Sequence, residues 1–227
     1  MKTSRCLGLI GGLGVGATIY YYENLALGCE KLGFALDIVI TNAEISRVFE
    51  CVEAKDRGGL AEYLNDYIRR MKAAGAEMAA IPAITPLFCW KELSTISALP
   101  TVSLLDPLNR ELAARKARRV AIFGTRFVIE SDLFGALTAV EVVRPTADEV
   151  DFVHSTYVEL ARTGQGSNEK HEKMTALAHR LVDRDGVDAI ILAGTDLTVL
   201  FNESNTDFPH VDCAALHIRE ILREVTG

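Results

Sequence analysis

Short apolar, β-branched runs alternate with longer segments of helical period along all 227 residues, and this alternation limits the possible folds more than any single motif. The runs predict strands at 7–10, 35–41, 78–81, 101–103, 119–123, 140–143 and 189–192, with a short one around Val211. The period predicts helices at 17–32, 56–74, 107–117, 131–136, 148–163, 168–184 and 212–224, with Ser131 as the N-cap of the fourth. Strands joined by such helices form right-handed βαβ units and a mainly parallel sheet, so the fold class is α/β.

A weak internal repeat refines this picture. "GAEMAAIPAIT" (75–85) and "GVDAIILAGT" (186–195) share a glycine, an acidic residue, an apolar strand and a final threonine, each after a long amphipathic segment. "LGLIGG" (7–12) and "VAIFGT" (120–125) form a second pair, both strand followed by turn. Two similar halves, each a doubly wound and mostly parallel sheet flanked by helices, account for both pairs. Ligands of open parallel sheets bind at the carboxyl ends of the strands, so the turns after these runs hold the candidate residues.

The formal net charge of −7 argues against nucleic-acid or anionic-membrane partners, which require basic clusters. The opening stretch "MKTSRCLGLIGGLGVGATIYYY" is interrupted by Gly11, Gly12, Gly14 and Gly16 and fits a buried strand and turn better than a signal peptide. Five cysteines at positions 6, 29, 51, 89 and 213 show no CxxC or zinc-type spacing. They read as reduced thiols of a cytoplasmic protein, and no metal site is expected.

Four turns could carry chemistry. "GGLGVGAT" matches GxGxxG only loosely, at Gly12, Gly14 and Ala17, and Glu44 lies past the place where a dinucleotide site needs its acid. Backbone amides at Gly12 facing a carboxylate explain the stretch equally well. "TNAEISR" offers Asn42, Glu44, Ser46 and Arg47; the arginine could grip a carboxylate, or the stretch could be a solvated loop before a helix. "FGTRFVIESDLF" puts Thr125 and Ser131 near a helix start, as an anion cradle or as ordinary capping. "AGTDLTVLFNESN" presents Thr195 and Asp196, the latter a general base or a cap. Of the five histidines, His210, beside Pro209, is the one near a strand end.

Taken in order, "GLIGGLGVGAT", "IPAIT", "GTRFVIES", "RPTADEVDFVHSTYVEL", "ILAGTDL" and "FPHVDCAALH" resemble the aspartate/glutamate racemase superfamily across nearly the whole chain. The resemblance implies two pseudo-symmetric lobes, 1–104 with 207–227 and 105–206, and an active-site cleft between them. It implies racemisation of a small amino or carboxylic acid with no cofactor, neither pyridoxal phosphate nor metal, and a homodimer. The family's two catalytic cysteines fall on Ala83 and Gly194, and the asparagine after the first falls on Ile84. Thr85 and Thr195 occupy the family's threonine positions and Asp196 its acidic position; Asn42 and Arg47 match its arginine loop, and Thr125 and Ser131 its hydroxyl-rich turn. The catalytic assignment thus rests on Thr85, Thr195 and Asp196, with Gly12, Asn42, Arg47, Ile84, Thr125 and Ser131 as substrate-binding residues.

Alanine and glycine side chains accept no proton, so a two-thiol mechanism is excluded. Cys89 lies about a helical turn beyond Thr85 and is expected to face elsewhere. Two functions compete. One is an isomerase or lyase acting on a small acid through Asp196, Glu44 or a bound water. The other is a carboxylate-binding or regulatory protein that kept the pocket without turnover.

Overall fold

The computed structural model describes residues 2–137, 139–202 and 204–227. Internal contacts divide the chain into two compact units, the first up to Leu104 with Ala215–Gly227, the second Leu105–Ala214. The first runs β1 (Lys2–Thr3), β2 (Leu7–Gly11), α1 (Val15–Lys31), β3 (Phe34–Ala35), β4 (Ile38–Asn42), α2 (Ile45–Glu53), α3 (Arg57–Ala73), β5 (Met78–Ala80), a 3-10 turn (Thr85–Cys89) and α4 (Trp90–Ile96). The second runs α5 (Leu105–Ala114), β6 (Arg119–Phe123), α6 (Arg126–Glu130), α7 (Asp132–Gly135), β7 (Glu141–Val142), α8 (Ala147–Thr163), α9 (Asn168–Asp185), β8 (Ala189–Leu192), a second 3-10 turn (Thr195–Val199) and β9 (His210–Asp212). The last helix, α10 (Cys213–Thr226), leads back into the first unit.

Each unit has one main parallel sheet, the two share a topology, and the first unit also holds a two-stranded parallel ladder of β1 and β3. The first has the order β4-β2-β5, and a parallel bridge between Ala79 and Thr101 supplies a fourth position beyond β5. The second has the order β7-β6-β8-β9, parallel throughout. In both, the first strand is central, the second lies outside it, and the third and fourth follow on the other side. β9 stays with the second unit because its ladder runs along β8. The fold is therefore α/β with two similarly wound sheets, as the alternation of runs requires.

The central strands have helices on both faces, so they read as unbroken apolar runs instead of alternating ones. Leu7, Leu9, Ile10, Val120, Ala121, Ile122, Phe123, Ile190 and Ile191 have no exposure. Complete burial of one such aliphatic chain contributes about 1.5–3 kcal/mol. α3 buries Leu60, Leu64, Ile68 and Met71 at helical spacing, and comes so close to β2 that a Cβ at Gly8 would meet Met71 Sδ at 2.9 Å. Buried Asn65 on the same helix is satisfied from both ends: its amide donates to Ile96 O (3.0 Å) and its oxygen accepts from Ala98 N (2.9 Å).

Two expectations are corrected. The strand expected over 35–41 is two strands, because the Asp37 amide donates to Ser4 Oγ (2.9 Å) where the chain passes from β1 to β2 as its neighbour. The strand expected over 101–103 reduces to the single bridge at Thr101, and Pro100 brings no amide to extend it. A short helix not foreseen, α6, precedes the one expected from 131. α6 starts directly after β6 with Thr125 as its cap, accepting from Val128 N (3.4 Å), and Ser131 closes its far end. Asp132 (φ 51°) and Leu133 (φ 53°) then turn the chain through the left-handed region. α2 and α4 were not foreseen; their sequences are short, and α2 begins without a side-chain cap.

α8 starts with a reciprocal cap: Thr146 N donates to Glu149 Oε2 (2.9 Å) and Glu149 N to Thr146 Oγ1 (3.4 Å). Arg184 on α9 donates to both oxygens of the same carboxylate (2.9 and 3.0 Å), fastening α9 to α8. The Arg184 hydrogen bonds hold the Glu149 carboxyl down at about 2. Its folded-state value lies below the unfolded one, so this contribution is complete above about pH 4.5 and is lost as pH falls toward 2. Glu149→Gln is expected to cost about 2 kcal/mol at pH 7, lowering the melting temperature by about 5 °C. The gap between variant and parent should close between pH 4.5 and 2; an unchanged gap across that window in thermal melts contradicts the assignment.

Candidate functional site

Strands of a parallel sheet all leave by the same edge, so the turns after β2, β4 and β5 gather in the first unit, and those after β6 and β8 in the second. The two sheets then place 3-10 turns at matching points. Thr85 begins the turn that follows β5, and Thr195 begins the one that follows β8. Both threonines are half-buried. Among the described residues neither hydroxyl has a hydrogen-bond partner, whereas the Thr195 carbonyl accepts from Thr198 Oγ1 (2.7 Å). These are polar groups held on a fixed backbone and still open to a ligand.

In the first unit Ala83 is half-buried and Ile84 is buried, so the stretch before Thr85 presents hydrocarbon and backbone only. The turn is braced by Arg57, whose guanidinium donates to Phe88 O and lies 4.4 Å above the Phe88 ring. Gly12 has φ +84°, and a Cβ there would meet Ala43 O at 2.1 Å, so only glycine fits. Its amide donates to Thr18 Oγ1 (3.2 Å) and is thus occupied. Asn42 is exposed and its amide donates weakly to Ala43 O (3.4 Å). Arg47 points along α2 to Glu50 (2.9 Å), which, as the first cause, raises its pKa. Glu44 is exposed; its carboxylate accepts from Ser46 Oγ (2.6 Å) and its amide donates to Tyr63 Oη (2.8 Å).

In the second unit the anion cradle expected at Thr125 is occupied by the protein itself. Thr125 Oγ1 accepts from Val128 N, Ser131 Oγ donates to Val128 O (3.3 Å), and the Arg126 amide donates to His154 Nδ1 (3.2 Å). The turn after β8 differs. The Tyr157 phenol, reaching from α8, donates to Asp196 Oδ2 at 2.8 Å. Its ring packs against Gly194, where an added Cβ would meet Tyr157 Cε2 at 2.3 Å and Oη at 2.6 Å. Gly194 is extended (φ 170°), a backbone any residue adopts, so the ring alone forbids a side chain. Burial, and after it the Asp196 carboxylate, pushes the Tyr157 phenol well above its ordinary pKa. Tyr157 therefore stays protonated and Asp196 is the proton acceptor of the pair.

The structure thus gathers Gly194, Thr195, Asp196 and Tyr157, and it leaves Arg47, Thr125 and Ser131 engaged with their own helices. Tyr157 lies in a stretch the sequence reading singled out without giving the tyrosine a role. Its signal was faint: a polar-tipped aromatic four residues after buried Val153 and three before buried Leu160. His210 is engaged elsewhere, its Nδ1 donating to Phe208 O (3.0 Å). All five cysteines are buried free thiols. Cys89 donates to Pro86 O (3.4 Å) and burial pushes it up to about 12, so it is not a base. Burial also pushes Cys213 up.

A cavity of about 400 Å³ lies elsewhere in the second unit, lined by Ser167, His171, Leu200 and Asn205 among others. Its polar groups have partners: Ser167 caps α9, and His171 Nε2 donates to Asn205 O (3.0 Å). Among the described residues no group of three or more His, Cys, Asp or Glu is placed to hold a metal, and no helix is long and apolar enough to cross a membrane.

Comparison with known proteins follows this geometry. A family model described as Asp/Glu/hydantoin racemase matches residues 10–221. A candidate Asp/Glu racemase from Yersinia pestis superposes with a TM-score of 0.81 at 22% identity, over 96% of this chain and 98% of that one. An aspartate racemase homologue from Pyrococcus horikoshii OT3 gives 0.80 at 24% identity, over 98% of each chain. A glutamate racemase from Francisella tularensis, in complex with D-glutamate, gives 0.61 at 14% identity, over 96% of this chain and 80% of that one. At these identities the solved structures establish a common fold.

Proposed function

The chain belongs to the Asp/Glu/hydantoin racemase family, and from that premise we propose a cofactor-independent, racemase-like enzyme that uses no thiol. Its substrate is a small carboxylic or amino acid. The observation that carries this reading is the pair of matched turns, Thr85 and Thr195, whose hydroxyls have no partner within the described chain. Each can donate to a carboxylate oxygen, an interaction with a charged acceptor that contributes about 1.5–3 kcal/mol. Asp196 is the general base, fixed by Tyr157. Ile84 and Ala83 favour a ligand with an apolar substituent. Gly12 and Asn42 shape the first unit's turns, and Arg47, Thr125 and Ser131 reach the ligand only after giving up present partners.

A second reading is favoured by one feature: the stretch 81–85 carries no titratable side chain. A carboxylate-binding protein without turnover needs none. The reading as an enzyme includes a cytoplasmic location and a homodimer, and the dimer is supported by α1, which leaves Val15, Ile19 and Tyr22 exposed at one helical face. Sedimentation is expected to give twice the chain mass for the parent and one chain mass for Ile19→Glu; a monomeric parent removes that part.

Exchange of the α-proton with deuterated solvent tests the chemistry. Across L- and D-aspartate, L- and D-glutamate and 2-alkyl-substituted acids, exchange is expected with an acid carrying an apolar group, and no aspartate or glutamate turnover at enzymic rates. Thr195→Val and Thr85→Val should each raise KM roughly 10-fold, and Asp196→Asn should abolish exchange. Acids that stabilise the protein against heat without exchanging would favour the binding protein, and neither effect with any acid defeats both readings.

A further inference from the structure

We infer that Tyr157 is the positioning residue of the second unit's turn, replacing a side chain at 194 with a phenol that orients Asp196. Two observations meet here. The ring occupies the volume of a 194 side chain, 2.3 Å from its Cβ position, although the backbone there would admit any residue. The phenol oxygen then lies 2.8 Å from Asp196 Oδ2, where it donates. The two features depend on each other, since a side chain at 194 would push the ring away from the carboxylate. One carboxylate oxygen is bound to the phenol, and Oδ1 has no partner among the described residues.

The physical result is a base with a fixed direction. A carboxylate on a free rotor samples several orientations, and a hydrogen bond to one oxygen removes most of them. The phenol, which remains protonated, cannot compete for the substrate proton. Thr195, the residue before Asp196, puts its unpartnered hydroxyl on the same turn. An acid whose carboxylate takes the Thr195 hydroxyl thus meets a proton acceptor one residue away. In the step itself Asp196 Oδ1 takes the α-proton as the C–H electron pair moves into the substrate's carboxyl system; a solvent proton then restores the C–H bond, and Asp196 returns its proton to solvent. Tyr157 gains and loses no proton in this cycle.

The inference rests on the proposed enzymatic reading only for what Asp196 does to the substrate; the pairing stands apart from it. Full-length protein carrying ¹³Cζ-tyrosine, with Tyr157 assigned through Tyr157→Phe, reports the phenol titration without any substrate. Tyr157 is expected to ionise above the ordinary phenol range, and Asp196→Asn should lower its midpoint by about one pH unit or more. Gly194→Ala should lower it as well, by displacing the ring. In the deuterium-exchange assay Tyr157→Phe should change the pH profile and lower kcat with little change in KM, a split that loss of packing alone does not produce.

A Tyr157 midpoint unmoved by Asp196→Asn overturns the pairing. A moved midpoint with an unchanged pH profile of exchange overturns the positioning role. If the midpoint moves and no acid exchanges in the parent protein, the pairing is upheld and only the enzymatic reading fails.

Discussion

Every strand of a parallel sheet emits its chain at the same edge, and the candidate chemistry of this protein depends on that constraint. Burial of β2 in the first sheet and of β6 and β8 in the second holds the strands of each sheet in register, so the turns beyond them have little freedom. Residues distant in sequence meet as a result: the Tyr157 phenol and the Asp196 carboxylate are 39 positions apart and within hydrogen-bond distance. Helices supply the remaining constraint. The reciprocal cap and the Arg184 clamp on Glu149 fix α8, and α8 carries Tyr157. The chain of cause runs from buried apolar runs, to helix placement, to the orientation of one carboxylate.

That carboxylate also decides which electrostatics are available. A thiol base needs a depressed pKa, and burial moves Cys6, Cys29, Cys89 and Cys213 the other way, Cys89 up to about 12. A carboxylate can act as a base in place of a thiol, but it needs direction. The glycine at 194 and the tyrosine at 157 supply direction together, and neither would do so if a side chain stood at 194. The first unit has no equivalent: Ala83 and Ile84 leave Thr85 as the polar side chain of that stretch. Both turns are five-residue 3-10 turns that begin on threonine, but the residue before each differs in backbone, helical at Ile84 and extended at Gly194, and so does their chemistry.

The architecture was legible in the sequence because it rests on local pattern. The runs 119–123 and 189–192 coincide with β6 and β8, and the long helices fall within about two residues of their observed bounds. Weak local signals misled where tertiary contacts decide. The short helix α6 gives no helical period in "TRFVIE"; it forms because Thr125, placed by the end of β6, caps it. Strand 35–41 breaks because Ser4, some thirty residues earlier, takes the Asp37 amide. At the site, Thr85 and Thr195, with Ala83 and Gly194 near them, could be read from the chain directly. Tyr157 could not be assigned a role, because its two contacts, with Gly194 and Asp196, exist only after α8 packs beside the second 3-10 turn. The engagement of Arg47 with Glu50 and of Gly12 N with Thr18 was hidden for the same reason.

The account turns on the Thr85 and Thr195 hydroxyls being open to an acid. Methyl-labelled threonine NMR of the full chain, titrated with methylmalonate and with D-glutamate, tests this most directly. The account predicts saturable shifts of both threonine methyl resonances with the alkyl-bearing diacid, while Thr125, engaged with its own helix, stays in place. Resonances of Thr85 and Thr195 that remain still at millimolar concentrations of either acid would contradict it.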